Sequence, residues 1–415
     1  MTRKRLLFVS PRFLFPMDQG GKIRTGNILR GMKGGAFEVT LVSPAPADAA
    51  RYAADVGAAC DRFVSWPEAG RSRVRRVAAL ASRLPVAAAT DRSRSGSEVV
   101  RTALAERPDV VVADFPHADV LMPERLDPAS VIFTHNVEAE IFERHAAREH
   151  GIWRLIWADQ SRKMERLERS SLARYDTVVA VSDRDRDALA SRYGLQTVEA
   201  IDTGVDLDFF TAAGGDHDPG SDGGTLVFVA TMSWAANVEG IHFLLDEVWP
   251  LLVAARPKVR AVIIGRDPPA SLREKVRARR LDVMLTGFVE DIRPHVAAAN
   301  AYVIPLFVGS GTRIKAFEAM AMGRPVVSTA LGVEGLDVRD GVEFLRADDA
   351  AAFATAILRF LGDGGLRAQV AGAARRLMEE RFSWSRVAGQ FETICLRAMG
   401  RRQPHPIAMT VAAPT

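Results

Sequence analysis

A chain of 415 residues is too long for one ordinary hydrophobic core and predicts two domains. Its 48% apolar and 26% charged residues fit a folded globular protein and exclude disorder over most of the length. A net charge of +4 is too mild to indicate nucleic acid, and the two cysteines, Cys60 and Cys395, form no Cys-x-x-Cys or Cys/His cluster, which speaks against a zinc site or a disulfide framework and for buried thiols in a reducing cytosol.

Near the amino terminus, Leu6, Leu7, Phe8 and Val9 are followed at once by Ser10, Pro11 and Arg12. That run is too short for a signal core or a membrane span and reads as a first buried strand. No other segment approaches the roughly 18 uninterrupted apolar residues of a spanning helix. The expectation is a cytoplasmic protein, with a peripheral place on the inner face of the membrane left open.

Short apolar runs then recur at 6–10, 39–43, 62–66, 110–114, 131–136, 177–182 and 198–202, each followed by a helical stretch. Such runs suit strands buried on both faces of a parallel sheet built from βαβ units. Gly20 and Gly21, with Lys22, Ile23 and Arg24 behind them, follow the first strand. They do not form the Gly-x-Gly-x-x-Gly dinucleotide fingerprint, which disfavours NAD. The pair reads either as a tight loop or as a close approach to a phosphate or an acceptor.

Residues 71–84 contain five arginines and no acid. They suit a solvated surface helix better than a lipid-binding one, because the apolar side is mostly alanine. Trp153 and Trp157, followed by Arg162 and Lys163, make a second candidate membrane surface, or pack inside the domain. Together the two segments raise an anionic membrane surface as a partner.

The carboxyl ends of strands are the functional edge of such a sheet. His135, followed by Asn136 and Glu138, lies at one of them; Asp114 and His117 are weaker candidates, and Asp183 and Arg184 weaker still, as a simple helix start.

The Gly- and Asp-rich stretch 211–224 reads as a linker, after which the strand pattern restarts at 226–230, 260–265, 283–288, 301–306, 325–330 and 342–346. The fold class expected is α/β: two Rossmann-like doubly wound parallel-sheet domains facing across a cleft, over 1–210 and 225–381. A carboxyl-terminal helix at 382–399 is expected to pack back toward the first domain, with a disordered tail at 400–415.

The most informative stretch is 309–329. Gly309 and Gly311 flank Ser310 and admit a ligand close to the backbone. A helix expected to start near Thr312 would present N–H groups to phosphate, with Arg313 and Lys315 adding charge. Glu318, farther along, suits a pair of vicinal hydroxyls such as those of a ribose. Gly323 ends the helix and Pro325 enters the next strand.

This block resembles the donor-site segment of the family 4 glycosyltransferases, of the GT-B fold. Their pattern is a Glu, seven residues, then Glu-Ala-Met-Ala-x-Gly-x-Pro-Val-Val. The second Glu matches Glu318, to which the resemblance assigns the nucleotide ribose. The first falls on Ser310, as in branches that carry Gly-x-Gly-Thr-x-x-Lys. Thr286, Gly287 and Phe288 are similar to the family loop that contacts the base through its backbone. Asp202 to Asp206 sits where Asn-Gly-Val-Asp is usual. The segment 228–240 resembles one that supplies an Arg and a Lys to the diphosphate, but has neither; Thr231, Met232 and Glu239 stand there, so the phosphate role passes to Arg313 and Lys315. The family also places a His near the donor sugar, which makes His135 a candidate to hydrogen-bond the sugar or the attacking hydroxyl. The likeness spans roughly the whole length and is most specific over 281–336.

The resemblance implies a hexosyltransferase type of enzyme that takes a sugar from a nucleotide sugar to a glycan or lipid-linked acceptor with retention of configuration. His135, Arg313 and Lys315 are its catalytic candidates. Gly20, Gly21, Thr286, Gly287, Phe288, Ser310, Gly311, Thr312 and Glu318 are its substrate-binding ones. No cofactor, no metal and no nucleic acid are expected. The cations replace a metal ion, and the Asp-x-Asp letters at 183–185 and 206–208 sit at a helix start and a pre-linker turn. Two rival readings share the framework: a GT-B nucleotide-sugar epimerase, and a degenerate binding protein without turnover.

Overall fold

The computed structural model describes residues 3–68, 70, 73–211, 223–232, 234–308 and 313–401. Most of the expected linker and tail therefore lie outside the described residues, as do Gly309, Ser310, Gly311 and Thr312. The chain divides into two compact units, one made of residues up to 201 with those from 387 on, the other of residues 202–386.

The first unit holds a parallel sheet of seven strands: β1 (Lys4–Val9), β2 (Phe37–Ala45), β3 (Arg62–Pro67), β4 (Val110–Asp114), β5 (Ala129–Phe133), β6 (Thr177–Ala180) and β7 (Val198–Ala200). Their order is β3-β2-β1-β4-β5-β6-β7. Every residue of β4 and β5 is buried, as Val-Val-Val-Ala-Asp and Ala-Ser-Val-Ile-Phe demand of strands covered on both faces. The order reverses between β1 and β4, which opens a crevice at their carboxyl ends.

The last helix, Trp384–Arg401, buries Val387, Ala388, Phe391, Ile394, Cys395 and Ala398 along one face. Phe391 meets Phe8 and Phe133 with ring centroids 6.4 and 5.1 Å apart, and Glu392 accepts the Ala36 N–H at 2.6 Å. Those contacts make this helix part of the first unit. Both cysteines are buried thiols; burial pushes Cys60 up to about 11 and Cys395 higher still.

The second unit repeats the plan with six parallel strands: β8 (Gly223–Val229), β9 (Lys258–Ile264), β10 (Val283–Gly287), β11 (Ala301–Ile304), β12 (Val326–Ser328) and β13 (Leu345–Arg346), in the order β10-β9-β8-β11-β12-β13. The reversal falls between β8 and β11. The runs at 198–202 and 342–346 give strands of only three and two residues, β7 and β13. Each is an edge strand with a ladder on one side only, and edges are kept short.

The helix Ala235–Phe243 crosses the end of β11 at close range: a Cβ on Gly240 would lie 2.1 Å from the Pro305 carbonyl oxygen. Only glycine permits this approach, which also fixes where Asn237 of the same helix points.

Candidate functional site

In the second unit the functional edge is built on β8, β10 and β11. Register shifts by one residue between Leu285 and Gly287, so Thr286 bulges from β10, and Gly287 takes a φ of +72°. The bulge turns Phe288 outward, 64% exposed, with the Arg266 guanidinium 4.5 Å above its ring. An exposed aromatic face under a cation is an apt platform for a flat ligand.

Beyond β11 the helix Ile314–Ala321 begins two residues later than expected, with Arg313 at its N-cap position. It ends as its sequence demands: Gly323 at a φ of +63° lets its N–H reach the Met320 carbonyl at 3.0 Å and that of Arg324 reach Ala319 at 3.0 Å. Arg313 is buried. Its Nε donates to the Leu331 carbonyl at 3.0 Å, Nη2 lies 3.6 Å from Glu334, and the guanidinium sits 5.7 Å from the Trp234 ring.

Lys315 and Glu318 lie three residues apart, on one face of the helix. Both are half-buried. The Lys315 ammonium donates to Asn237 Oδ1 at 2.7 Å and lies 4.8 Å from the Phe228 ring centre. Burial, with Arg313 nearby, brings the amine down to about 7; Glu318 opposes the shift. Burial also raises the Glu318 carboxyl to about 7, against the pull of Lys315. Tyr302 is buried close enough for Glu318 to push its phenol well above the usual range, with burial the larger cause. Among the described residues no hydrogen bond claims the Glu318 carboxylate.

In the first unit the edge between β1 and β4 is a buried polar cluster. Asp114, at the end of β4, accepts from Ser10 Oγ at 2.9 Å, Thr25 Oγ at 3.0 Å and His135 Nε2 at 2.8 Å. The other ring nitrogen of His135 is 3.3 Å from Arg24 Nη1. A guanidinium only donates, so Nδ1 is the acceptor and Nε2 carries the proton. Burial holds His135 below its usual range against the hydrogen bond and attraction of Asp114, and brings Arg24 down to about 10 against the attraction of Asp185 and Asp114. His135 is a neutral imidazole with both nitrogens engaged, stacked 3.9 Å from the Phe115 ring.

Phe115 has φ +69° and ψ 152°, a region that costs a non-glycine residue about 1–3 kcal/mol. Its ring end fills the space beside Gly21, where a Cβ would come within 2.6 Å. Gly20 opens the helix Gly20–Met32, exposed, and Lys22 pairs with Asp18 at 3.1 Å. The need for glycine at 21 is thus met by an internal aromatic ring.

Other sequence candidates fall elsewhere. His117 is buried, 3.8 Å from Asp91, with its ring stacked 5.7 Å from that of Phe115. Asp183 and Arg184 open the helix Asp183–Tyr193 on the surface, where Ser182 caps the Asp185 N–H and Arg184 pairs with Glu140. Asp206 spends one oxygen on the N–H groups of Asp208 and Phe209, as a turn. Sequence reading missed Asn237 and the partners Ser10, Arg24 and Thr25. The one amide in Ala-Ala-Asn-Val-Glu-Gly-Ile-His-Phe was the signal the sequence offered for Asn237.

Two such doubly wound parallel-sheet units, with a cation and a carboxylate on the helix after the fourth strand of the second, define a GT-B protein. Two family descriptions match the chain: "Glycosyltransferase Family 4" over residues 19–209 and "Glycosyl transferases group 1" over 223–363. This chain belongs to the family 4 glycosyltransferases. The phosphatidyl-myo-inositol mannosyltransferase of Mycolicibacterium smegmatis is 32% identical over 225 residues, 52% of this chain and 57% of that protein. The D-inositol 3-phosphate glycosyltransferase of Salinispora arenicola is 29% identical over 257 residues, 54% and 56%. The match thus spans little more than half the length of these relatives. Among solved structures, Anabaena HepE in complex with UDP shares the fold with a TM-score of 0.65 at 16% identity, covering 95% of this chain and 100% of that one.

Proposed function

We propose that this chain transfers a hexosyl group from a nucleoside diphosphate sugar to a hydroxyl of a glycan or lipid-linked acceptor, with retention of configuration and without a divalent metal. The observation that carries the reading is the Lys315/Glu318 pair at the edge of the second sheet. An amine held near 7 becomes fully charged when a diphosphate arrives, and a carboxylate with open acceptor positions suits a ribose diol.

In the reaction the bond from the anomeric carbon to the β-phosphate oxygen breaks. The acceptor oxygen bonds to that carbon on the same face, and its proton passes to the departing diphosphate. Lys315 offsets the charge that develops on the leaving oxygen. The names of the relatives, a mannosyltransferase and an inositol-phosphate glycosyltransferase, and the UDP complex of a structural neighbour support this reading.

The test is a thermal-shift and calorimetric screen of UDP-, GDP-, ADP- and dTDP-sugars with EDTA present, on wild type and Glu318→Ala. At least one donor raises the wild-type melting temperature, and the variant loses about tenfold or more in affinity for it. Equal affinity in both proteins would remove Glu318 from the site.

A lipid-linked acceptor also calls for a membrane-facing surface. Ile152, Trp153 and Leu155 are exposed at the start of the helix Gly151–Leu172, Trp153 by 60%, with Arg154 among them. Val74 and Val77 stand exposed on one face of the helix Arg73–Ala79, beside Arg76. Trp157, by contrast, packs on His145 and Phe142. Among the described residues no helix is long and apolar enough to cross a membrane. Sedimentation with phosphatidylglycerol vesicles is expected to carry the protein down, less so at high salt and less so for Trp153→Asp. Equal recovery with neutral and anionic vesicles contradicts this surface.

A further inference from the structure

The stretch from the end of β8 through the helix Ala235–Phe243 contains no arginine or lysine. It nevertheless holds a cation. Asn237 is 1% exposed; its Nδ2 donates to the Thr231 carbonyl at 2.9 Å, and its Oδ1 accepts from the Lys315 ammonium at 2.7 Å. A carbonyl only accepts and an ammonium only donates, so the two bonds fix the orientation of the amide between them. We infer that Asn237 is a positioning residue that holds the Lys315 ammonium at the donor-phosphate position without neutralising it.

The inference rests on the reading of Lys315 as the diphosphate cation and adds to it the reason for an amide at 237. An aspartate there would hold the ammonium more tightly but would cancel its charge before an anion arrived. An alanine would leave a flexible four-carbon side chain without an anchor. A neutral carbonyl does neither. The second close partner, the Phe228 ring, is likewise uncharged. The charged groups acting on the ammonium are then Glu318, one turn along, and Arg313, which repels it. Asn237 thus joins the first turn after β8 to the helix after β11, 78 positions later in the chain, and supplies that first turn with a positive charge its own sequence lacks.

The test compares wild type, Asn237→Ala and Asn237→Asp. UDP, GDP, ADP and dTDP binding is measured by titration calorimetry, and the reactivity of the Lys315 amine toward acetic anhydride is followed against pH by mass spectrometry. Asn237→Ala is expected to weaken nucleoside diphosphate binding about tenfold. Asn237→Asp weakens it further while leaving the melting temperature equal or higher, and moves the labelling midpoint of Lys315 up by about one pH unit or more from its position near 7. A merely structural Asn237 would give the opposite pattern: a lower melting temperature in both variants with unchanged diphosphate affinity and an unmoved midpoint. Unchanged diphosphate affinity in either folded variant, or an unmoved midpoint in folded Asn237→Asp, overturns the inference. Asn237→Ala serves if the aspartate variant does not fold. A wild-type protein that binds none of the four diphosphates refutes the proposed function itself; binding by wild type with unaffected variants refutes only the role of Asn237.

Discussion

Replacing Lys315 with methionine is expected to slow the proposed sugar transfer about 10²–10³-fold and to raise the melting temperature of the second unit. The two effects share one cause. The Lys315 amine is held near 7 because burial penalises its charge more than Glu318 rewards it. Its folded value lies below the ordinary 10.5, so between about 7 and 10.5 the unfolded chain binds more protons than the native one, and stability rises with pH across that window. At neutral pH the ammonium therefore costs the fold free energy, on the order of 4 kcal/mol for a displacement of that size. The opposing loss is the hydrogen bond to Asn237 Oδ1, whose carbonyl is left unsatisfied at a cost of about 1–3 kcal/mol. The first effect wins. Methionine also fits the Phe228 ring as a soft apolar partner.

Turnover moves the other way. Removing a preorganised group that meets developing charge costs about 10²–10³ in kcat. The measurements are calorimetric melting at pH 7 and donor turnover with product detection. A fall in melting temperature would show that the ammonium is solvated rather than buried. A kcat within a few-fold of wild type would show that it does not face the leaving group. The partner obeys the opposite sign. Glu318 is raised to about 7 from 4.5, so the native state holds the extra proton between those values and stability declines as pH climbs through them. The pair thus costs the fold most near neutrality, where both shifts act together.

Legibility in the sequence followed how local each feature is. Continuous apolar runs such as 110–114 made buried strands because a parallel sheet needs apolar side chains on both faces, and that requirement is written within five residues. Lys315 and Glu318 were legible as residues of one helix from the Gly-rich entry before it and the Gly323/Pro325 exit after it; that they share a face follows from their spacing. The edge strands β7 and β13 were overestimated, since an apolar run does not say where its ladder stops. Asn237 was silent: its meaning arises only when the crossover brings it to a helix 78 residues on. His135 was legible as a strand-end residue but not as a saturated one, because Arg24 and Asp114 arrive from 111 and 21 residues away. Trp153 and Trp157 share a helical face and read alike, yet only Trp157 lies far enough along the helix to meet His145 and Phe142.

The first unit should be intolerant of Asp114→Ala, with an expected loss of about 3–5 kcal/mol, the cost of removing one partner from a buried ionic cluster. Asp114 is fully buried and accepts three side-chain hydrogen bonds. Without it, the hydroxyls of Ser10 and Thr25 and the Nε2–H of His135 lose their acceptor together, and Arg24, buried and already weakened as a cation by burial, loses a counter-charge. Asp114→Asn keeps an acceptor oxygen but adds an NH2 facing donors, so it sheds less, about 1–3 kcal/mol. Acid should act on the same cluster. His135 is held below the ordinary 6.5, so as pH falls below that value the unfolded chain takes up a proton that the native imidazole refuses, and stability drops. Urea unfolding at pH 8 and at pH 5.5, with amide exchange read in β4 and β5, assigns the loss to this unit. A change under 1 kcal/mol in Asp114→Ala would mean that water, not the protein, satisfies the cluster. The neutral His135 would then be available to a substrate, whereas in the geometry described its two nitrogens are committed to holding Arg24 and Asp114 at the switch point of the sheet.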